Sequence, residues 1–171
     1  MTVYTFYVKN ISYSIDRVFN KLTLKGPLGL VNLKLSNSLL KHITDRSFFF
    51  VKNSLKTFIS NFSNSLVGVF HGFYVRLEIF GLGYKIIPER TDLTTLCFDL
   101  GCTHWIFYRF NLSENIFSVV RDKVIYVYGL DLALLNSRAA EIRNIRYLVP
   151  YKPKGIKFVN EILKIKQLKQ K

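Results

Sequence analysis

Ile125-Tyr126-Val127-Tyr128 is a short aromatic and β-branched run, followed at helical spacing by Leu132, Leu135, Ala139 and Ile142. Such a run reads as a strand, and apolar residues three and four apart read as one face of a helix. The same pair of signals stands 77 residues earlier. Phe48-Phe49-Phe50-Val51 is the run, and Leu55, Phe58, Ile59, Phe62 and Leu66 form the stripe. Shifted by 77, Leu55, Phe58 and Phe62 fall on Leu132, Leu135 and Ala139. Asn53 or Ser54 is placed to cap the first helix and Asp131 the second. The chain therefore reads as one strand-and-helix unit written twice.

Strand signals lie ahead of each helix. Phe19 to Lys25 and Leu28 to Leu35 flank Gly26-Pro27, a hairpin pattern. Phe73, Val75, Leu77 and Ile79 alternate with Tyr74, Arg76, Glu78 and Phe80, a period of two that Gly81-Leu82-Gly83 ends. Leu93 to Leu100 and Ile116 to Val120 supply two further strands. The expected class is α+β, with two tandem related domains that each pack a small antiparallel sheet on one helix. The expected boundaries are 1–71, 72–149 and a basic C-terminal tail at 150–171. On this reading both sheet-and-helix layers end before Pro150, and the tail is dispensable for folding.

The chain has 171 residues, with 25 Lys and Arg against 11 Asp and Glu, a net charge of +14. Hydrophobic residues make up 49%, enough for a core, which excludes a chain disordered throughout. Two cysteines are too few to staple a secreted scaffold. So basic a folded chain meets phosphate. The charge is concentrated: residues 143–171 hold nine bases and one acid, Glu161. Mean hydropathy is +0.16, so a membrane span has to be tested. The longest stretch free of charged residues, Thr57 to Val75, contains Ser60, Asn61, Ser63, Asn64, Ser65 and His71, too polar to cross a bilayer. Neither a signal peptide nor an import presequence is read at the start. Lys, Asn, Ile and Phe stand at many surface-like positions, a bias of A/T-rich coding that organelle genomes share.

The motifs that would carry chemistry are weak. Gly81-Leu82-Gly83 lacks the third glycine and the following helix of a dinucleotide loop, so it reads as a tight turn or bulge. Cys97, Cys102 and His104 lack a fourth ligand and match no zinc spacing, and the cysteines read as small core hydrophobes. The histidines at 42, 71 and 104 lie in separate segments, and the acids are dispersed. No enzyme, metal or cofactor is expected. Arg138, Arg143 and Arg146, away from the second helix's stripe, run into Tyr151, Lys152, Lys154 and Lys157, and together read as one phosphate-binding surface. Tyrosine there can stack on an unpaired base.

Pro150-Tyr151-Lys152-Pro153-Lys154-Gly155-Ile156-Lys157-Phe158, with Glu161 beyond it, resembles the Pro-Tyr-Lys-Gly-Lys-Gly segment of the bacterial-type large-subunit ribosomal protein L-six family. Leu24-Lys25-Gly26-Pro27-Leu28-Gly29 is similar to that family's first hairpin, and Phe80-Gly81-Leu82-Gly83-Tyr84 to its Val-Gly-Val-Gly-Tyr turn. Leu100-Gly101-Cys102-Thr103-His104 is similar to its Leu-Gly-Phe-Ser-His segment. The resemblance covers essentially the whole chain, tightly from Gly72 onward and loosely before Leu55. Pro153 stands in place of the motif's first glycine, and Leu28 and Leu30 in place of charged hairpin residues. Tyr147-Leu148-Val149 replaces a more polar approach to Pro150.

The resemblance implies two α+β domains and a structural, non-enzymatic role on large-subunit rRNA. The site implied is near the factor-binding region, by the sarcin–ricin loop and stalk base, with the second domain and tail making most of the contact. The residues singled out for rRNA binding are Lys85, His104, Arg138, Arg143, Arg146, Tyr151, Lys152, Lys154, Gly155 and Lys157. Partners implied are rRNA and neighbouring large-subunit proteins, with no membrane and no small-molecule substrate. A free-standing RNA-binding regulator or maturation factor is the rival reading. The expected location is the mitochondrial matrix, with a plastid or the bacterial cytoplasm as alternatives.

Overall fold

The computed structural model describes residues 11–16, 18–34, 43–44, 47–48, 55–88, 94–151, 153–162, 164 and 166. The fold is α+β, and the chain forms two compact units. The first comprises Met1–Gly72 with Leu130–Leu132, and the second Phe73–Gly129 with Ala133–Lys171.

In the first unit, strands β1 (Ser12–Asp16), β2 (Lys21–Gly26) and β3 (Gly29–Lys34) form an antiparallel meander. A two-stranded ribbon, β4 (Ile43–Thr44) and β5 (Ser47–Phe48), precedes helix α1 (Leu55–Phe70). Phe49, Phe50, Val51 and the two proposed caps Asn53 and Ser54 lie outside the described residues. Alternation turns Leu22, Leu24 and Val31 inward, against Phe62 and Val69 of α1, and Leu130 joins the same cluster. Phe58, Ile59 and Leu66 of the expected stripe pack around it, and Phe58 stacks on Phe62 with ring centroids 6.2 Å apart.

Two turns explain the ends of these elements. Phe19 is 77% exposed in a turn and does not begin a strand. The Asp16 carboxylate accepts the N–H of Val18 at 3.0 Å and of Phe19 at 3.3 Å, which bends the chain before β2. In the hairpin, Gly26 pairs with Gly29 across a two-residue Pro27-Leu28 turn. A Cβ on Gly26 would stand 2.3 Å from Val69 Cγ1, so the sheet meets α1 there only through glycine. Gly72, at φ 75°, ends α1 by donating its N–H to the Gly68 carbonyl at 2.9 Å.

The second unit has two antiparallel sheets and one helix. Strands β6 (Phe73–Phe80), β7 (Lys85–Pro88), β8 (Thr95–Asp99) and β9 (Ile106–Arg109) come first. Strands β10 (Phe117–Arg121) and β11 (Val124–Gly129), helix α2 (Leu132–Ile145) and strand β12 (Gly155–Phe158) follow. β7, β8 and β9 form a meander, so each unit holds a three-stranded meander ahead of one helix. The helices begin at Leu55 and Leu132, in keeping with the 77-residue repeat. Leu135, Ala139 and Ile142 of α2 are fully buried against Leu77, Ile79, Ile125 and Val127. Asp131 stands directly before α2, at the cap position. Cys97 is buried in β8, whereas Cys102 is half-buried in the loop that follows.

The strand order β10-β11-β6-β12 corrects one expectation. The sheet does not end before Pro150. β12 is its edge strand and pairs Ile156 with Ile79 and Phe158 with Leu77. Ile156 is fully buried, and its N–H donates to the Arg146 carbonyl at 2.6 Å. The strand escaped notice because its two apolar residues stand singly among lysines. Replacing Ile156 with alanine should cost about 2–5 kcal/mol, measured by urea denaturation, because it opens a cavity in the core. Deleting residues 151–171 should abolish the cooperative unfolding of the second unit. A truncation with native near-UV circular dichroism would contradict this.

Candidate nucleic-acid interface

Tyr84 organises one end of the second unit. Its ring, 8% exposed, lies between two glycine turns. Gly81 has φ 138°, and a Cβ there would stand 3.0 Å from the ring. Gly101 has φ 67°, and its Cβ would stand 3.3 Å from the opposite part of the ring. Both positions combine a left-handed backbone with close approach, the conditions that favour glycine. The Gly81-Leu82-Gly83 turn is therefore built to seat an aromatic ring.

Basic side chains gather around that ring. Lys154 Nζ lies 5.9 Å from its centroid, within cation–π range. Lys85 follows Tyr84 directly, opposite Asp99 in the β7–β8 ladder, and is exposed. The loop 101–105 carries His104, exposed, and Trp105, 54% exposed. Arg146 leaves the end of α2 and donates from Nη1 to Cys102 Sγ at 3.6 Å, which ties it to that loop. Lys154 and Arg146 are tied to this end by contact, while Lys85 and His104 are exposed one residue beyond Tyr84 and two beyond Cys102. Among the described residues none of the four has a carboxylate partner within 4 Å. Tyr147 and Tyr151 extend from the same connection and are exposed.

The remaining residues singled out from sequence are placed otherwise. Arg138 is held between two acids: Nε donates to Glu114 at 2.8 Å, and Nη1 donates to both oxygens of Glu141 at 2.9 Å. Its Nη2 completes a fork on Glu114. Arg143 makes a similar fork on Glu161, with Nε at 3.1 Å, and Glu161 also accepts the Phe158 N–H. These arginines are matched by acids within the unit, with their side chains part-exposed. Lys157 lies 3.9 Å from Glu78 and 4.5 Å from the Phe80 ring centroid, on the sheet rather than at the Tyr84 end. Gly155 is buried. With φ 148°, it would set a Cβ 2.5 Å from the Arg146 carbonyl, so its bareness serves backbone packing and not phosphate approach. Lys152 lies outside the described residues.

Trp105 and Tyr147, both exposed on the segments that adjoin this end, are not among the residues singled out from sequence. The signal for Trp105 was available, since it is the chain's one tryptophan and directly follows His104. Among the described residues no three His, Cys, Asp or Glu side chains gather as a metal site. No helix there is long and apolar enough to cross a membrane.

The arginine forks leave a mark on titration. Arg138 holds the Glu114 carboxyl below its ordinary range. Tyr108, donating at 2.6 Å, and then Arg138 do the same for Glu141, and Arg143 does so for Glu161. Burial, followed by the Glu141 contact, pushes the Tyr108 phenol up. Carboxylates with lowered values stabilise the fold above about pH 4.5, and that contribution is lost as pH falls through the lowered values. Arg138→Ala should therefore lower stability at pH 7 and flatten the further loss below about pH 4.5, read as urea midpoints across the range. A variant curve parallel to the parent's would show that the fork does not contribute.

No family model matches the chain. Whole-length relatives do. The large ribosomal subunit protein uL6 of Hydrogenobaculum sp. (strain Y04AAS1) is 33% identical over 165 residues, covering 92% of this chain and 87% of the relative. The uL6m protein of Reclinomonas americana is 31% identical over 181 aligned positions, covering 95% and 94%. The uL6c protein of Guillardia theta is 29% identical, covering 94% and 90%. With more than nine-tenths of its length aligned to such relatives, the chain belongs to the uL6 family of large ribosomal subunit proteins, a structural family and not an enzymatic one.

Proposed function

We propose that the chain binds large-subunit rRNA through the Tyr84 end of its second unit, as a structural component of the ribosome near the factor-binding region. The observation that carries the reading is that Lys154 lies over the Tyr84 ring and Arg146 on the 101–105 loop, neither with a carboxylate partner, with Lys85, His104, Trp105, Tyr147 and Tyr151 exposed on the adjoining segments. Cations without a carboxylate partner suit phosphate oxygens, and exposed rings on the adjoining segments suit unpaired bases. Tyr84 gives the cluster a rigid base, so little ordering is needed on binding. Arg138 and Arg143 take no part, because their charge is already matched.

The mitochondrial ribosome is the compartment we infer, from the Lys, Asn, Ile and Phe bias of the surface. Labelling in the presence of a cytosolic translation inhibitor tests it. Continued synthesis supports mitochondrial origin, and its loss points to cytosolic synthesis.

The binding surface is tested by salt titration of the full-length chain on large-subunit rRNA. Lys85→Ala, Arg146→Ala and Lys154→Ala should each weaken binding and reduce the slope of log affinity against log salt by roughly 0.7 to 0.9. Arg138→Ala should leave that slope unchanged. The parent should also remain with large subunits through a high-salt gradient, whereas a free-standing regulator would wash off. Equal slopes for all four variants would move the RNA contact elsewhere.

A further inference from the structure

The four-stranded sheet has two faces, and only one of them meets α2. On the inner face Leu77, Ile79, Ile125, Val127 and Ile156 are buried. The strand register puts Phe117, Tyr128 and Tyr74 in one row of the other face, and Val119, Tyr126 and Arg76 in the next. Tyr74 is 60% exposed and Phe117 is 44% exposed. A solvated sheet face ordinarily carries polar residues. Contiguous exposed rings mark an interaction surface.

We propose that this outer face docks a neighbouring protein of the large subunit, one that presents an apolar side chain flanked by carboxylates. The inference rests on the ribosomal reading above. The geometry of the rings favours protein over RNA. Phe117 and Tyr128 are near-parallel, 15° apart with centroids at 5.2 Å, and Tyr74 lies 6.1 Å from Tyr128. In such an offset stack part of each ring's flat face is already taken up by its neighbour. Stacking on a base needs a free flat face, whereas apolar protein side chains also pack on rings that are partly covered.

Charge on the face points the same way. Arg76 and Arg121 are exposed, and among the described residues neither has a carboxylate within 4 Å. The Glu78 carboxylate on this face is matched by Lys157. At the tip of the β10–β11 turn, Asp122 and Lys123 balance one another in formal charge. Two arginines among tyrosines and valines, with Lys157 already engaged, have the composition of a protein interface centre. At the Tyr84 end, by contrast, the cations are mainly lysines, and Asp99 is the acid opposite Lys85. Beside Tyr74 and Arg76, a groove of about 290 Å³ closed by Phe158, Val159 and Asn160 has room for one anchoring side chain.

Site-specific photo-crosslinking in salt-washed large subunits tests the proposal. The probe is p-benzoylphenylalanine in place of Tyr74, in the full-length chain. The expected product is a covalent adduct with a peptide of another subunit protein that carries an apolar residue and acids. Its yield should fall roughly tenfold or more when Arg76→Glu and Arg121→Glu are added. An adduct to RNA, or no adduct from subunits that contain the chain, overturns the proposal. The same probe in place of Tyr147 should label RNA, so failure of the RNA-binding reading is scored separately. A chain absent from large subunits sinks both.

Discussion

The approach of Gly155 to the carbonyl of Arg146 is the contact on which the second unit depends. There the chain, having left α2 and crossed Pro150 and Pro153, returns against the helix's own exit and enters the sheet as its edge strand. No side chain fits between the two backbones. Because Gly155 supplies none, Ile156 can donate its N–H to Arg146 and fill the core against Ile79. The same step sets Lys154 over Tyr84 and leaves Arg146 beside the 101–105 loop. One constraint therefore completes the hydrophobic core and assembles the basic end of the unit.

Positive charge in this unit is divided between two uses. Arg138 and Arg143 are partnered by Glu114, Glu141 and Glu161, in forks that tie α2 to the short 3-10 turn at Leu112–Glu114 and to the segment after β12. Partly exposed pairs of this kind contribute modestly to stability, but planar forks fix geometry well. Lysines and Arg146 around Tyr84 lack such partners. Net charge alone does not separate the two groups, since Arg138, Arg143, Arg146 and Lys154 all lie in the C-terminal third.

The parts of the fold legible in sequence are those with an uninterrupted period. Leu135, Ala139 and Ile142 announce α2, and the alternation from Phe73 to Phe80 announces β6, because burial on one face forces the spacing. β1 and β12 were not legible. β1 offers only Tyr13 and Ile15 between polar residues, and β12 gains its burial from β6, a partner distant in sequence. The site shows the same division. Arg138 and Glu141, three apart on one helix, form a pair that local spacing permits. Arg138 with Glu114, or Arg143 with Glu161, becomes neighbouring only once the chain has folded, so three acids that look dispersed turn out to hold two arginines.

The assignment of Leu130 to the first unit bears on how the chain is made. Its side chain packs with Leu22, Leu24, Val31, Phe62 and Val69, and a Cβ on Gly29 would come within 2.8 Å of it. A ribosome synthesising this chain must therefore translate past β11 before the first unit has all its core residues. Vectorial folding, the amino-terminal half settling while the remainder is still in the exit tunnel, is denied its last apolar contact until Leu130 emerges. The two halves repeat one another in pattern, yet the earlier one matures on the schedule of the later.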